Sequence, residues 1–303
     1  MNLPPPRHIS TPLRLDMKRD TTTNLTATKT HTQEVGGGER FAFGENWARF
    51  LEVLDDERIQ QAVDSLKIML EVDSLNGKSF LDIGSGSGLF SLAAKRLGAK
   101  VLSFDYDPQS VACTNELKRR YIENANDWEV QTGSVLDKKY LNNLGKFDVV
   151  YSWGVLHHTG DMWAALANID ENVAANGRLF IAVYNDQGRA SKFWWATKKT
   201  YVSLPKYLRW FVLVPCYIRL WGPAMIRDLV FLRPFKTWFT YKKNRRGMSA
   251  HRDVVDWVGG FPFEVAKPEQ IFDFYKKRGY LLLTLMTCAG GHGCNEFVFQ
   301  RNS

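Results

Sequence analysis

Three glycines stand at alternate positions directly after an apolar run in the first third of the chain. The run Phe80–Ile83 leads into Gly84, Gly86 and Gly88, with Ser85 between the first two glycines. Glycine is needed where a backbone must turn sharply and lie directly against a ligand. The pattern therefore predicts a strand that enters a ligand-binding loop.

A carboxylate follows this loop at an informative distance. Asp105 ends the next apolar run, 21 residues after Gly84. A carboxylate at that place can accept hydrogen bonds from both hydroxyl groups of a ribose. The loop and Asp105 together predict a site for a cofactor that contains adenosine.

The spacing of the glycines distinguishes between two such cofactors. In the dinucleotide fingerprint G-x-G-x-x-G, the third glycine would occupy the position of Leu89, but here Gly88 comes one residue early. Asp82, two residues before Gly84, would repel a pyrophosphate but suits a ligand that bears an ammonium and a sulfonium group. We therefore predict S-adenosylmethionine and not NAD.

Two adjacent histidines are the candidates for proton transfer. His157 and His158 follow the fourth apolar run of the chain. Methyl transfer to a hydroxyl group mainly requires alignment of the reactants, together with a base that takes the hydroxyl proton. An imidazole can serve as that base, so His158 is the first candidate and His157 the second. The alternative is structural, since either ring could hydrogen-bond a loop and shape the pocket.

A second polar cluster lies late in the chain, where charged, aromatic and glycine residues are mixed. Asp256 and Trp257 are the substrate contacts that we predict from it, although such a loop can also be ordered by its own hydrogen bonds. Clustered oxygen ligands for a metal are not evident, and Cys288, His292 and Cys294 lack a fourth ligand at a familiar spacing. We predict no metal site.

Strand-like and helix-like runs alternate through the region that would position these groups. This alternation is typical of a parallel α/β sheet with helices on both faces. The last two strand-like runs, separated by glycines, predict an antiparallel hairpin that closes the sheet. The predicted strands are Ser79–Ile83, Lys100–Phe104, Trp128–Thr132, Asp148–Ser152, Arg178–Val183, Tyr280–Thr287 and Glu296–Arg301.

Four segments resemble the successive motifs of class I S-adenosylmethionine-dependent methyltransferases. They are Asp82–Gly88, Val101–Pro108, Gly133–Asp137 and Phe147–Asp161. The nearest resemblance is to the small-molecule branch that includes the ubiquinone-biosynthesis O-methyltransferases. It implies a Rossmann-like, seven-stranded methyltransferase sheet that is mostly parallel, with an antiparallel C-terminal hairpin and a helical insertion.

The resemblance also implies roles at matching positions. The loop from Gly84 to Gly88, including Ser85, would line the methionine and ribose, and Asp82 would reach the ammonium group. Asp105 would hold the ribose, and the segment Phe43–Trp47 resembles a lid helix, so Trp47 is a further predicted pocket and substrate residue. Asp137 is an alternative to Ser134 for an adenine contact. The remaining cofactor contacts would be Tyr106, Ser134 and Val135 at the adenine, and Trp153 and Gly154 at the methionine end.

The net charge of +8 is concentrated in one segment of the 303 residues. Between Asn185 and Arg252 stand fifteen Lys or Arg, two acids and 14 of the 40 aromatic residues, which leaves a mildly acidic remainder. This segment could be a helical cap, a surface for an anionic membrane, or an RNA-binding surface. Its aromatic residues stand among aliphatic ones, which disfavours nucleic acid.

These patterns divide the chain into four parts. We predict a flexible tail over 1–38, a cofactor-binding core over 39–184, a basic and aromatic helical insertion over 185–266, and a helix and hairpin over 267–303 that complete the core. The predicted activity is methyl transfer to oxygen of a small-molecule or lipid- or glycan-linked acceptor. An RNA methyltransferase and a non-catalytic cofactor-binding scaffold are the alternatives. Four cysteines without a pairing pattern predict a cytoplasmic protein, peripheral on the membrane if the insertion is interfacial.

Overall fold

Seven strands form one mixed sheet in the computed structural model, which describes residues 25–122, 126–244 and 250–303. The strand order is β3-β2-β1-β4-β5-β7-β6. The first five strands are parallel, and β7 runs antiparallel to both β5 and β6. The strands are β1 Ser79–Ile83, β2 Lys100–Asp105, β3 Trp128–Thr132, β4 Phe147–Trp153, β5 Val173–Tyr184, β6 Tyr280–Met286 and β7 Cys294–Arg301. This topology confirms the predicted fold class.

Helices cover both faces of the sheet and form a separate group at its carboxyl edge. Local signals begin several of them: where Pro108 occupies the first turn of a helix, the side chain of Asp107 accepts a hydrogen bond from Gln109 N. The helices of the core are α2 Gly44–Val53, α3 Asp56–Leu70, α4 Leu89–Arg96, α5 Pro108–Tyr121, α6 Lys138–Leu144, α7 Met162–Asp170 and α12 Pro268–Lys276.

Two hydrophobic clusters hold these layers together. One lies between the sheet and α3, α4 and α5, with Ile59, Leu66 and Phe80 fully buried. The other lies on the opposite face, with Phe104, Leu166 and Phe297 in its centre. The strand order reverses between β1 and β4, so a crevice forms at the carboxyl ends of these strands, where open α/β sheets bind ligands.

A helix occupies part of the segment that was predicted to be a flexible tail. Helix α1 spans Leu25–Gly36, so the prediction of a flexible tail over 1–38 is wrong for these residues, while 1–24 lie outside the described residues. Tertiary contacts account for the difference. His31 is buried with its ring 5.3 Å from the ring of Tyr106, and Arg40 forms an ion pair with Glu34. A Thr-rich sequence gives no local sign of such contacts.

The basic insertion folds as a helical layer with its own core. Its helices are α8 Arg189–Ser203, α9 Trp210–Val230, α10 Lys236–Asn244 and α11 Ala250–Gly259. Trp194, Trp221 and Val258 are buried between them. Asn185 and Ala266, at the two ends of the segment, pair in an isolated parallel bridge, so the insertion leaves the sheet and returns to it at one point.

Proline does not end the long helix of the insertion. Helix α9 continues through Pro215 and Pro223 to Val230. Residues before, between and after the two prolines pack into the insertion core, among them Leu213, Trp221 and Met225. Local propensity is here overridden by burial.

Candidate functional site

The glycine loop adopts a backbone conformation that side chains disfavour. Gly84, Gly86 and Gly88 have φ angles of +77°, +55° and +81°. A Cβ on Gly84 would lie 2.4 Å from Cγ1 of Val155, and one on Gly86 would lie 3.0 Å from the Trp47 indole. The loop therefore needs glycine both for its turn and for the close approach of its neighbours.

Two carboxyl groups flank the loop. Asp82 is buried and accepts a hydrogen bond from Ser91 Oγ, while Asp105 accepts hydrogen bonds from Gly86 N and Asp107 N at 2.9 Å. Desolvation, with a smaller contribution from the nearby charge of Asp105, raises the pKa of Asp82 to about 7. Desolvation also raises the pKa of Asp105 to about 7. Both groups would release their protons more readily beside a cation.

These residues fit S-adenosylmethionine. Glycines with positive φ let the backbone approach the ligand, and two adjacent carboxyl groups match a ligand that carries ammonium and sulfonium charges. Ser85, which the sequence also placed here, is buried with its hydroxyl 2.9 Å from Thr114 Oγ1, so it holds the loop to α5. A pyrophosphate beside Asp82 and Asp105 would be repelled by the negative charge of their carboxylates.

The predicted adenine contacts lie beyond the ends of β2 and β3. Tyr106 is half-buried between His31 and the Arg40 guanidinium, which stands 5.1 Å from the centre of the ring. Val135 is buried, and the Ser134 hydroxyl accepts a hydrogen bond from Leu136 N at 3.2 Å.

Asp137 has a structural task that the sequence did not indicate. Its side chain accepts a hydrogen bond from Tyr140 N at 3.0 Å and caps α6. One carboxylate oxygen of Asp137 is therefore engaged at the start of α6, and its role as an alternative adenine contact stays a prediction.

The methionine end of the predicted site has open space beside it. Trp153 ends β4 and is half-buried. Gly154 follows with a φ of +76° and donates a hydrogen bond from its backbone N to Ala182 O. No atom lies within 4 Å of the place that a Cβ on Gly154 would take. The chain thus leaves room at the carboxyl end of β4.

The two histidines differ in whether a ring nitrogen keeps a free lone pair that can accept a proton. His157 is fully buried, and its Nδ1 accepts a hydrogen bond from Tyr184 N at 3.3 Å, so its proton lies on Nε2. His158 Nδ1 lies 2.7 Å from the carbonyl oxygen of Pro262, so it donates there and leaves a lone pair on Nε2. Burial lowers the pKa of His157 well below its ordinary value and that of His158 to about 3. Only His158 has the tautomer of a proton acceptor.

One short segment joins the cofactor loop, the histidines and the insertion. Phe43 lies with its ring 5.0 Å from that of His158, and Gly44 N donates a hydrogen bond to Asp107 Oδ2 at 2.8 Å. Asn46 donates a hydrogen bond to Asp256 Oδ1, and Trp47 packs over Gly86. The structure thus places Trp47 against the cofactor loop, and its contact with the substrate stays a prediction.

Asp256 and Trp257 lie on α11, facing the sheet. Asp256 is half-buried, and desolvation raises its pKa to about 7. The Trp257 ring lies 5.3 Å from the ring of Tyr184, which in turn lies 3.8 Å from that of His157. Trp257 is therefore linked to His157 through the Tyr184 ring, while Asp256 is held against α2 by Asn46.

Lys198 is a residue of this site that sequence reasoning missed. It lies on α8, is fully buried, and donates a hydrogen bond to the carbonyl oxygen of Trp257. Its Nζ stands 4.3 Å from the centre of the Trp257 ring and 4.7 Å from that of Phe263. Desolvation lowers the pKa of Lys198 to about 7. A lysine in a basic segment looks like a surface residue, and the only sequence signal was its position among Trp194, Trp195 and Tyr201.

Within the described ranges, no group of three or more His, Cys, Asp or Glu residues could hold a metal ion. Cys288 instead bonds within its own turn, with its Sγ 3.3 Å from Gly291 O.

The sequence and fold were compared with those of known proteins. Residues 81–179 match the sequence profile of a family described as a methyltransferase domain. The ubiquinone biosynthesis O-methyltransferase of Pelagibacter ubique is 28% identical over 193 residues, which cover 61% of this chain and 68% of that protein. The enzyme of that name from Haemophilus ducreyi is 30% identical over 123 residues, which cover 39% of this chain and 50% of that protein. The chain thus spans about half to two thirds of the length of these relatives.

One solved structure resembles almost the whole chain. The magnesium protoporphyrin IX methyltransferase of Synechocystis PCC 6803, solved with bound SAH, superimposes with a TM-score of 0.51 at 17% identity. The superposition covers 90% of this chain and 100% of that one. At this identity the likeness shows a shared fold.

Proposed function

The chain carries a class I S-adenosylmethionine-dependent methyltransferase domain, and we propose that it transfers the cofactor's methyl group to a hydroxyl oxygen of a small-molecule or lipid-linked acceptor. The observation that carries this proposal is the segment Phe43–Trp47. It contacts the cofactor loop at Gly86 and the insertion at Asp256. It also contacts, at His158, the turn that holds His157 and His158, which we call the histidine turn. A cofactor and an acceptor bound beside this segment would share one enclosed space at the carboxyl edge of the sheet.

The cofactor half of the site orients a cation. When bound, S-adenosylmethionine supplies a methyl group on a positively charged sulfur. Asp82 and Asp105 would lie near the positive charges, and Gly84 and Gly86 would let the backbone follow the ligand. Trp47, packed over Gly86, would exclude water from the loop.

The acceptor half lies between the histidine turn and the insertion. We infer that His158 Nε2 accepts the proton of the acceptor hydroxyl, because Nδ1 already donates a hydrogen bond to the Pro262 carbonyl. His158 Nε2 would accept the hydroxyl proton as the acceptor oxygen takes the methyl group that a bound S-adenosylmethionine would supply. His157, whose Nδ1 lone pair is occupied by Tyr184 N, is not part of this step.

Asp256, Trp257 and Lys198 position the wall of the acceptor space. Lys198 donates to the Trp257 carbonyl and so holds α11 against α8, while Asp256 accepts from Asn46 and holds α11 against α2. We therefore treat these three as positioning residues. The Trp257 ring itself lies beside Tyr184 and would contact an apolar or aromatic part of the acceptor.

Calorimetric titration with S-adenosylmethionine, and separately with NADH, tests the cofactor half. We expect binding of S-adenosylmethionine and no binding of NADH by the wild type. Asp105→Asn should weaken the binding of S-adenosylmethionine by about 10-fold, since a charge-assisted hydrogen bond contributes about 1.5–3 kcal/mol. Binding of NADH alone would contradict the proposal.

We further propose that the protein works as a peripheral protein at a membrane surface, where lipid-linked acceptors reside. The support is the concentration of basic and aromatic residues in the insertion, close to the acceptor half of the site. Among the described residues, no helix has the length and apolar character to span a bilayer.

A further inference from the structure

The long helix of the insertion exposes a continuous apolar ridge. Phe211, Val214, Ile218, Ile226 and Leu229 follow one another at intervals of three, four or eight residues along α9. At 3.6 residues per turn these five positions lie within about 120° of one another, so they share one side of the helix. Each of these side chains is between 48% and 68% exposed, although large apolar side chains are usually buried. We call these five residues the α9 ridge.

The chain that follows α9 extends the same surface. Phe231, Leu232 and Phe235 stand in the connection to α10, and Phe239 lies on α10 itself. All four are exposed, and Leu232 is 88% exposed. We call them the α9–α10 tip. Tyr207 and Trp210, at the other end of α9, are exposed as well.

The charges around this surface have one sign. Lys206, Arg219, Arg227, Arg233 and Lys236 are exposed. Within the described part of the chain, these five residues form no ion pair. The sequence from 187 to 252 holds a single acid, which is Asp228.

Asp228 does not offset these charges at the surface. Its side chain is buried and accepts hydrogen bonds from Thr237 N and Thr237 Oγ1. The exposed charge around the α9 ridge and the α9–α10 tip is therefore positive.

We propose that the α9 ridge and the α9–α10 tip dock on an anionic phospholipid bilayer, with α9 in the plane of the interface. Aliphatic and aromatic side chains would enter the boundary between headgroups and acyl chains, while the lysines and arginines would reach the lipid phosphates. Apolar side chains this exposed and this close together exceed what a monomer normally leaves in water. This inference deepens the peripheral location proposed above and names the surface and the lipid charge.

Two other occupants fit the surface less well. A second copy of the chain would bring two positive surfaces together, which like-charge repulsion opposes. RNA would match the charge, but the valine, isoleucine and leucine side chains offer bases no stacking surface. Only a partner whose anionic groups and apolar groups lie within a few ångströms of each other matches the whole surface.

Vesicle flotation with the full chain tests this proposal. Vesicles of phosphatidylcholine alone are compared with vesicles of phosphatidylcholine and phosphatidylglycerol in equal amounts. We expect binding to the anionic vesicles that weakens as salt is raised, and much weaker binding to the neutral ones. The double variant Leu232→Glu/Phe235→Glu should lower the partition coefficient by about 30-fold or more.

A matched control and a second readout separate docking from damage to the fold. Ile68→Glu changes a side chain of similar exposure on α3, far along the chain from the insertion, and should leave vesicle binding unchanged. Brominated lipids should quench tryptophan fluorescence in the wild type and less so in Trp210→Phe. Affinity for S-adenosylmethionine, measured without lipid, should be the same in all four proteins, so loss of docking is distinguishable from loss of the cofactor site.

Three results would overturn the inference. The first is no binding to anionic vesicles even at low salt. The second is equal binding by the wild type and by the Leu232→Glu/Phe235→Glu variant. The third is a stable dimer, or an RNA complex, that the double variant abolishes while vesicle binding stays absent.

Discussion

Replacement of Lys198 by methionine should stabilise the protein. Lys198 is fully buried, and desolvation lowers its pKa from 10.5 to about 7. At pH 7 the unfolded chain therefore binds a proton that the folded protein holds only half of the time. This difference corresponds to about 4 kcal/mol of lost stability.

Two terms that do not depend on the charge offset part of that loss. The hydrogen bond from Nζ to the Trp257 carbonyl, which the neutral amine also donates, contributes about 1 kcal/mol. Imperfect packing of a replacement side chain beside the Trp257 and Phe263 rings, which lie 4.3 and 4.7 Å from Nζ, costs up to about 1.5 kcal/mol. Methionine has a similar length and no charge. We expect Lys198→Met to raise the free energy of unfolding by about 1–2 kcal/mol at pH 7.

The pH dependence of this difference is the sharper test. Because the folded-state pKa is lowered, the destabilisation by Lys198 is largest below pH 7 and disappears as the pH approaches 10.5. It corresponds to about 5 kcal/mol at pH 5 and about 2 kcal/mol at pH 9. The advantage of Lys198→Met over the wild type should therefore shrink by about 3 kcal/mol between these pH values.

Urea unfolding of the wild type and the variant, followed by circular dichroism at pH 5, 7 and 9, measures this difference. Lys199→Met is the matched control, because Lys199 is the next residue of α8 and is exposed. It should change the free energy of unfolding by no more than about 0.5 kcal/mol. A Lys198→Met variant whose difference from the wild type is the same at all three pH values would refute the reasoning.

Three further predictions concern catalysis and the cofactor loop. His158→Ala should reduce turnover by about 10²-fold while cofactor affinity, measured by calorimetry, is kept, and unchanged turnover would make His158 structural. Since burial lowers the pKa of His158 to about 3, the wild-type rate should show no inflection near pH 6.5 that His158→Ala removes. The raised pKa values of Asp82 and Asp105 should make S-adenosylmethionine bind more tightly as the pH rises from 6 to 8, and a pH-independent Kd would contradict this. The same raised values mean that these two groups stabilise the ligand-free fold most below pH 4 and lose that contribution as the pH rises through 7, which thermal unfolding without cofactor would show. Gly86→Ala should weaken cofactor binding by about 10-fold or more, because its Cβ would lie 3.0 Å from the Trp47 indole at a φ of +55°, whereas Gly77→Ala, which meets no atom within 4 Å, is the control for positive φ.

The sheet, the family and the cofactor could be predicted because their signals are local. Each strand is a short apolar run, and the glycines at 84, 86 and 88 with Asp105 stand at fixed distances along the chain. Residues 81–179 match a methyltransferase-domain family, in agreement with the predicted activity and cofactor. The roles of individual residues in binding and catalysis stay predictions.

Features that depend on packing between distant segments could not be predicted. Lys198 is buried because Trp257 and Phe263, about 60 residues later, close around it. The different tautomers of His157 and His158 are set by Tyr184 N and by the Pro262 carbonyl. Helix α1 and the continuation of α9 through Pro215 likewise depend on tertiary contacts that a single sequence does not display.

Mass spectrometry of cell extracts incubated with the protein and methyl-labelled S-adenosylmethionine tests the central claim most directly. Methyl transfer to a hydroxyl group predicts a small or lipid-linked compound that gains one labelled methyl ether with the wild type. With Asp105→Asn this compound should gain far less label. Labelling confined to RNA or protein, or an absence of any wild-type-dependent label in both the aqueous and the lipid fractions, would contradict it.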